Sequence, residues 1–188
     1  MPESAEYPTE LEREVILNDG TRVRIRPIRP DDEPRLIALY ARLSEHTAYQ
    51  RFFTVMPRLP RDWAHFFANV DYRRRLALVA EHEAAGGPEV IGVAEYEPSE
   101  DEENAVEVAF LVQDEWQGRG LGTILFHDLL SAADARGIRR FCAYVLAGNA
   151  RMLDLLTRFT DIQCRKTEAG VTGFFFTRRR PDACPAHG

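Results

Sequence analysis

The hydrophobic positions along this chain fall mainly into short runs that are rich in β-branched and aromatic residues and bounded by turn residues. In "REVILNDGTRVRIRPIRP", two such runs flank "NDG", a strong turn signal, and this pattern predicts a hairpin. The runs "RLALVAEH" and "EVIGVAEYE" predict a second strand pair, joined through "EAAGGP". Further strands are predicted for "AVEVAFLVQ", "RRFCAYVLA" and a closing hairpin in "DIQCRKTEAGVTGFFFTRR".

Other stretches show apolar residues at helical spacing. A first helix is predicted from a cap at Asp31 or Asp32 to about Leu43, and two shorter helices are expected around 47–53 and 61–70. The first helix would place Leu36, Leu39, Tyr40 and Leu43 on one face. A longer helix is predicted over 121–136, with Gly137 at its C-terminal cap, and "NARMLDLLTRF" predicts a last short helix.

The order of these elements predicts an α+β domain with one mixed, mainly antiparallel sheet and helices on its faces. The strand–helix–strand crossover in the second half predicts one parallel strand pair. We expect a single domain over residues 11–180, because 188 residues suffice for one substantial core and not for two. Residues 1–10 and 181–188 are expected to be loosely ordered.

Composition narrows the class of protein. No apolar run approaches the roughly 20 residues of a membrane span, and the acidic start "MPESAEYPTE" does not resemble a signal peptide. The net charge of −6 argues against general nucleic-acid binding. Three cysteines, an odd number without metal-ligand spacing, favour the reducing cytoplasm. The five histidines also lack ligand spacing, so no metal site is predicted.

The stretch "EWQGRGLGTILFHDLL" places glycines at alternate positions 118, 120 and 122 and then continues into a helix. A dinucleotide-binding G-x-G-x-x-G would need glycine where Thr123 stands, and the Gly-Lys-Ser/Thr end of a P-loop is missing. A helix N-terminus offers unpaired backbone N–H groups and a partial positive charge, which suit an anion. Glycines remove the Cβ atoms that would keep a phosphate away. The pattern therefore indicates a pyrophosphate cradle.

The surrounding residues "VEVAFLVQDEWQGRGLG" resemble the acetyl-CoA signature of the GNAT superfamily, whose pattern is Gln/Arg-x-x-Gly-x-Gly/Ala. Here the pattern is formed by Gln117, Gly120 and Gly122, and Asn149 in "AGNARMLDLL" stands where the superfamily has a cofactor-contacting asparagine. The resemblance implies acetyl-CoA as co-substrate and a GNAT-type sheet whose parallel strand pair is splayed at the acetyl-CoA site.

The resemblance also implies three groups of contacts. Backbone groups of Phe110, Leu111 and Val112 would hold the acetyl and pantetheine end, like an added strand in the splay. The pyrophosphate would be held by Gln117, Gly118, Arg119, Gly120, Leu121, Gly122 and Thr123. Asn149 would touch the pantetheine arm; alternatively, its side chain is simply the N-cap of the helix that follows.

Acetyl transfer to an amine needs a neutral nucleophile, yet a lysine ammonium has a pKa of about 10.4, so a base is expected. Glu107 is the first candidate, because alternation along "VEVAFLV" places it on one face with Ala109 and Leu111. A partly buried carboxylate has a raised pKa, which suits a base near neutral pH. Alternatives are that Glu107 is an ordinary sheet residue paired to an arginine, or that Glu95 or Glu97 is the base.

The general acid is less well marked. Many GNAT enzymes carry a tyrosine in the helix after the asparagine, but this chain has Leu156 there. Tyr144 could substitute, although an aromatic residue on that strand is expected in the core. A thiol leaving group has a pKa near 8.5, so the reaction can proceed without an assisting acid.

The segment "RVRIRPIRPDDEPRLIALYARLSEHTAYQRFF" resembles the opening of bacterial GNAT proteins that acetylate lysines of other proteins, notably acyl-CoA synthetases. The resemblance implies a lysine of such a partner protein as acceptor. Those enzymes are often fused to a regulatory domain, for which we expect no room here. Two alternatives remain open: acetylation of a small amine attracted by the acidic run "EPSEDEEN", and a non-catalytic module that binds acyl-CoA.

Overall fold

The computed structural model of the chain describes residues 6–180. The predictions for residues 1–5, for the tail 181–188 and for Cys184 lie outside the described residues. Within residues 6–180, no helix is both long and apolar enough to cross a bilayer. In the same residues, no group of three or more His, Cys, Asp or Glu side chains could hold a metal ion.

Residues 6–180 form an eight-stranded sheet in the order β1-β2-β3-β4-β5-β6-β8-β7. The strands are β1 Arg13–Ile16, β2 Arg22–Pro27, β3 Leu76–Ala84, β4 Gly87–Pro98, β5 Val106–Val112, β6 Phe141–Leu146, β7 Thr160–Glu168 and β8 Val171–Arg178. Neighbouring strands are antiparallel except β5 and β6, which are parallel. The predicted mixed, mainly antiparallel sheet with one parallel pair is therefore confirmed.

Helices cover both faces of this sheet. They are α1 Glu33–Ala41, α2 Glu45–Phe52, α3 Arg61–Ala68, α4 Leu121–Ala135 and α5 Ala150–Phe159. Buried residues of β5 separate into two clusters, as their alternation predicts. Val106 and Val108 pack with Leu125 of α4 on one face. Leu111 packs with Leu39 of α1 on the other.

The parallel pair β5–β6 is short, and this opens the sheet. Its register contains only Val106 opposite Phe141 and Glu107 opposite Cys142. Beyond that point β5 continues to pair with β4 as far as Val112, while β6 continues with β8 as far as Leu146. The edge of β5 from 108 to 112 is therefore unpaired on the side of β6, and the two strands are splayed.

Asp32 occupies the N-cap position of α1, but its side chain makes no capping bond to that helix. It accepts hydrogen bonds of 2.7 and 2.8 Å from the guanidinium of Arg26, which is 1% exposed, and one of 2.8 Å from the backbone N–H of Arg29. The predicted helix is present, but the predicted cap is replaced because a buried guanidinium needs a carboxylate. Burial raises the pKa of Asp32, and the bonds from Arg26 and Arg29 outweigh it, so the pKa is lowered.

The N-terminal residues that the structure describes contact the domain. The ring of Tyr7 packs edge-on against Tyr72, with 5.7 Å between ring centroids, and its hydroxyl donates to Glu12. A single 3-10 turn follows over Thr9–Leu11. Thus the predicted loose segment 1–10 is packed from Tyr7 onward.

Candidate active site

Two cavities meet where β5 and β6 separate. The first, which we call the loop cavity, has a volume of about 140 Å³ and lies beside the three-glycine loop. Its lining includes Phe110, Leu111, Val112, Gln117, Gly118, Gly122, Asn149, Arg51, Arg151 and Leu155. Seven of the predicted cofactor contacts are thus brought together around one cavity, although they come from β5, the loop, α4 and the start of α5.

The three glycines of the loop have different roles. Gly118 and Gly120 have φ values of +74° and +90°, a left-handed conformation that glycine adopts most easily. At Gly120 a Cβ atom would also lie 3.1 Å from the side chain of Asn18. Gly122 is helical and lines the loop cavity, and its Cβ would make only an ordinary 3.9 Å contact with Leu155. Two glycines therefore shape the turn, and the third keeps the cavity open.

The N-terminus of α4 faces this cavity through its backbone. The helical bonding begins where the N–H of Ile124 donates to the carbonyl of Gly120, at 3.2 Å. The amides of residues 121–123 precede it and have no carbonyl one turn earlier within the helix. The side chain of Leu121 is buried in the core at 1% exposure. This turn can therefore contribute N–H groups and the positive helix end to an anion.

Four predicted contacts do not line either of the two cavities: Arg119, Gly120, Leu121 and Thr123. The side chain of Arg119 donates to Asp19 at 2.9 Å, and its guanidinium lies over the ring of Trp116. Arg119 is thereby held by contacts within the loop and to the β1–β2 turn. Any contact of these four residues with a pyrophosphate would need to come from the backbone or from a side chain that moves.

The side chain of Gln117 holds the three-glycine loop in place through hydrogen bonds. Its Nε2 donates to the carbonyl of Val112 at 2.9 Å and to Oγ1 of Thr47 at 3.2 Å, while its Oε1 accepts from Arg151. These bonds connect the loop to β5, α2 and α5. Arg151 was not singled out in the sequence, although it stands two residues after Asn149 and adds a positive charge to the loop cavity.

Asn149 is the N-cap of α5. Its Oδ1 accepts a hydrogen bond of 3.2 Å from the backbone N–H of Met152. Asn149 also lines both cavities, at the place where β5 and β6 separate. The capping role is thus present in the structure, and a contact with the pantetheine arm remains a prediction.

The second cavity, which we call the carboxylate cavity, has a volume of about 280 Å³. It is lined by three glutamates, an arginine and several aromatic residues: Glu95, Glu97, Glu107, Arg51, Phe53, Trp63, Phe67, Phe110 and Tyr144. Asn149, Phe110 and Arg51 also line the loop cavity, so the two cavities adjoin. A group carried at the end of a ligand in the loop cavity can therefore reach the glutamates.

The three glutamates differ in their partners. Glu95 forms an ion pair with Arg51, and Glu97 lies 3.7 Å from the Nε of Arg75. Within residues 6–180, no arginine, lysine or histidine lies within ion-pair distance of Glu107. Glu97 stands directly opposite Glu107 in the β4–β5 register. Of the three carboxylates, Glu107 is the one that forms no ion pair within residues 6–180.

Burial raises the pKa of Glu107 and the negative charge of Glu97 raises it further, while the positive charge of nearby Arg51 lowers it by less. Burial likewise raises the pKa of Glu97, with Glu95 as the next cause. A raised pKa lets a carboxylate accept a proton from an ammonium more readily than an ordinary glutamate does. The environment of Glu107 is therefore suited to a general base.

Tyr144 lies in the carboxylate cavity, and the expectation of a core position was wrong. The separation of β5 from β6 leaves this side chain facing the opening, where its hydroxyl donates to Asp101. Burial and the bond to Asp101 raise the pKa of Tyr144, so it stays protonated. Leu156, at the position where many GNAT enzymes carry a tyrosine, is fully buried.

The helices of the first third supply residues that sequence reasoning missed. Arg51 pairs with Glu95, and its guanidinium lies 4.9 Å from the ring centroid of Phe52 and 5.7 Å from that of Phe67. Phe53 ends α2 with a φ of +56° and faces the carboxylate cavity. The quoted run "LSEHTAYQRFF" contains these residues, but only the fold shows that α2 lies beside β5.

Comparison with known proteins gives a family match. Residues 22–159 match the family described as "Acetyltransferase (GNAT) domain". Among curated proteins, the acetyltransferase Pat of Mycolicibacterium smegmatis is 34% identical over 153 residues, which cover 81% of this chain and 45% of that protein. The chain therefore spans less than half of the length of that relative.

Two further matches differ in what they are named for. The crystal structure of the GNAT domain of S. lividans PAT has a TM-score of 0.78 and 37% identity, covering 92% of this chain and 99% of that one. The L-methionine sulfoximine/L-methionine sulfone acetyltransferase of Pseudomonas aeruginosa is 31% identical over 139 residues, 71% of this chain and 77% of that protein. One relative is thus named for small amino-acid analogues.

Proposed function

Because the chain belongs to the acetyltransferase (GNAT) family, we propose that it moves an acetyl group from acetyl-CoA to a lysine side chain of a partner protein. Acetyl-CoA is the co-substrate and the chain is an acetyltransferase. The choice of a protein lysine, with an acyl-CoA synthetase as the leading candidate, rests on the resemblance of the first third and on the similarity to Pat. The match covers only 45% of Pat, so the partners and regulation of Pat are not carried over.

The residues at the splay fit acetyl-CoA. The amides at the start of α4 and the bare backbone of Gly122 suit the pyrophosphate, and Arg151 adds a positive charge nearby. The unpaired edge of β5 over 108–112 offers backbone groups to the pantetheine amides, as a neighbouring strand would. This placement directs the thioester toward the carboxylate cavity.

One observation carries the catalytic proposal: Glu107 is half-buried, forms no ion pair within residues 6–180 and lines the carboxylate cavity, which adjoins the loop cavity. We assign it as the general base that takes a proton from the acceptor ammonium, directly or through a water. The freed amine then forms the new C–N bond as the C–S bond breaks. Since a thiol has a pKa near 8.5, the sulfur leaves as a thiolate without a dedicated acid, and the second proton lost from the nitrogen passes to that thiolate or to solvent.

A small-molecule amine is the second candidate for the acceptor, because a relative named for L-methionine sulfoximine covers 71% of this chain. The three glutamates of the carboxylate cavity would attract either kind of cation. The deciding test is incubation with labelled acetyl-CoA and a cell lysate, followed by separation of proteins from small molecules. Label on a few protein bands supports the proposal, whereas label on small amines alone would overturn it.

Substitutions of Asn149 separate its capping role from cofactor binding. Asn149→Asp keeps an oxygen that can cap α5, and Asn149→Ala removes it at a cost of about 1 kcal/mol in the free energy of unfolding. We expect both variants to lose acetyl-CoA affinity in calorimetric titration, and only Asn149→Ala to unfold at a lower temperature. An Asn149→Asp variant with natural affinity would restrict Asn149 to capping.

Glu97→Gln tests whether the charge of Glu97 raises the pKa of the proposed base, Glu107. The charge of Glu97 helps to raise the pKa of Glu107, so its removal should lower that pKa. Because the base acts in its deprotonated form, the acidic limb of the kcat/KM profile should move to lower pH, while the plateau changes little. If the acidic limb of the profile does not move, Glu97 does not influence the pKa of Glu107. If activity is lost at every pH, Glu97 and not Glu107 is the base.

A further inference from the structure

A group of exposed aromatic rings borders the carboxylate cavity. Among residues 6–180, six large hydrophobic side chains are exposed, and five of them lie between Tyr49 and Phe66, in and between α2 and α3. Three of these, Phe53, Trp63 and Phe66, are 39–48% exposed, and we call them the aromatic rim. Single exposed hydrophobic residues are common, but several of them in one place mark a binding surface.

Two Phe-Phe pairs in this region divide their rings between the core and the surface. Phe52 and Phe67 pack against the core cluster between the sheet and α1–α3. Phe53 and Phe66 belong to neither core cluster. Trp63 contacts the inner ring of Phe67 edge-on, with 6.4 Å between ring centroids. The inner rings therefore cover the core, and the outer rings are not needed for that purpose.

The rim is held beside the cavity by the structure around it. Phe53 ends α2 in the left-handed conformation, with a φ of +56°, where glycine or asparagine is usual because other residues lose free energy there. Phe66 lies under the guanidinium of Arg75, which is 3.7 Å from the ring centroid. Arg75 in turn lies 3.7 Å from Glu97, which lines the carboxylate cavity. Both rings are thus kept at the edge of this cavity and not folded onto the core.

The cavity and the rim together match a lysine in apolar surroundings. The three glutamates of the carboxylate cavity attract the ammonium, and Phe53 and Trp63 line the same cavity, so the apolar stem of a lysine can lie against their rings. Phe66 lines neither the carboxylate cavity nor the loop cavity, so a small amine inside does not contact it. Residues next to a lysine in a protein do reach it. Aromatic residues, tryptophan above all, are enriched where proteins bind one another.

We propose that the aromatic rim binds apolar side chains that flank the acceptor lysine of the partner protein, so that a lysine beside leucine-like residues is the preferred acceptor. This inference rests on the proposed function, because it takes a protein lysine as the acceptor. The lysine ammonium enters the carboxylate cavity while its apolar neighbours cover Trp63 and Phe66. The rim thus adds affinity for the acceptor and leaves the chemistry to Glu107, so its effect belongs in the acceptor KM and not in kcat.

Two short synthetic peptides test the proposal. Each has a central lysine and an arginine at both ends, and the two residues on either side of the lysine are leucines in one peptide and serines in the other. We expect the leucine peptide to have a KM about tenfold lower at similar kcat, since burial of one leucine side chain suffices for a difference of that size. Equal KM values for the two peptides, or no acetylation of either, would overturn the proposal.

The double variant Trp63→Ser, Phe66→Ser removes two outer rings and keeps the inner ones. In this variant the difference in KM between the two peptides should largely disappear. Ile16→Ser is the matched control, because Ile16 is an exposed hydrophobic residue on the edge strand β1, outside the rim. It should keep the natural preference, and circular dichroism checks that both proteins are folded. A preference for leucine that survives in the double variant would show that the rim is not the docking surface.

A second copy of this chain is another occupant that exposed rings could bind. In that case the natural protein would sediment as a dimer and the double variant as a monomer, with both peptides acetylated alike, and the proposal would be overturned. The outcomes also separate this inference from the proposed function. If proteins of a lysate are labelled but the two peptides are acetylated equally, only the docking surface fails. If label appears on small amines alone, the proposed function fails as well.

Discussion

Glu107→Gln should reduce turnover by about a hundredfold or more, the contribution that general bases usually make, while acetyl-CoA affinity changes by only a few-fold. Glutamine has nearly the same shape as glutamate and still forms hydrogen bonds, but it cannot take a proton from the acceptor ammonium. Glu107 has no cationic partner within residues 6–180, so its neutralisation leaves no arginine or lysine unpaired. The measurement is steady-state release of CoA with a saturating amine acceptor, together with calorimetric titration of acetyl-CoA.

Glu95→Gln is the matched control for this prediction, because Glu95 lines the same cavity but is held by Arg51. Natural enzyme should also lose activity as the pH falls, with an acidic limb above the ordinary glutamate pKa of 4.5, since the base must be deprotonated. Turnover that survives in Glu107→Gln and collapses in Glu95→Gln would move the role of base to Glu95.

Gly122→Val should weaken acetyl-CoA binding by about a hundredfold or more and leave the protein folded. The new side chain would project into the loop cavity, where the pyrophosphate is proposed to meet the first turn of α4. Loss of two charge-assisted hydrogen bonds, each worth about 1.5–3 kcal/mol, accounts for an effect of this size. Calorimetric titration with acetyl-CoA measures it, and circular dichroism checks the fold.

His127→Val is a suitable control for Gly122→Val, since it introduces the same residue on the exposed face of the same helix. It should bind acetyl-CoA like the natural protein. Gly120 is a poorer site for this test, because its φ of +90° and the nearby Asn18 would make a valine disturb the loop itself. If Gly122→Val binds acetyl-CoA with natural affinity, the helix N-terminus is not the pyrophosphate site.

The strands, the helices and the glycine turn were predictable because each has a local signal. The "NDG" turn, the period-two pattern of β5 and the helical spacing in α4 all depend on neighbours within a few residues. The parallel β5–β6 pair followed from the crossover through α4. Glu107 could be placed on a particular face of β5 for the same reason, since alternation fixes the face of every residue in a strand.

What the sequence could not predict depends on contacts between distant segments. The pairing of Arg51 with Glu95 of β4 needs α2 to lie beside β5, and the position of Tyr144 follows from the early end of the β5–β6 pairing. Asp31 or Asp32 was expected to cap α1 because aspartate is a preferred N-cap, and no local pattern shows that Asp32 instead binds the buried Arg26. The different roles of Gly120 and Gly122 likewise depend on Asn18 and Leu155, which are remote in sequence.

A crystal structure with bound acetyl-CoA tests the central claim most directly, namely that the splay between β5 and β6 carries the thioester to Glu107. We predict pyrophosphate oxygens about 2.7–3.2 Å from backbone nitrogens in the first turn of α4. The pantetheine should lie along the edge of β5 at 108–112, with the thioester carbon facing the carboxylate cavity. Acetyl-CoA bound elsewhere, or with its thioester directed away from Glu107, would contradict the account.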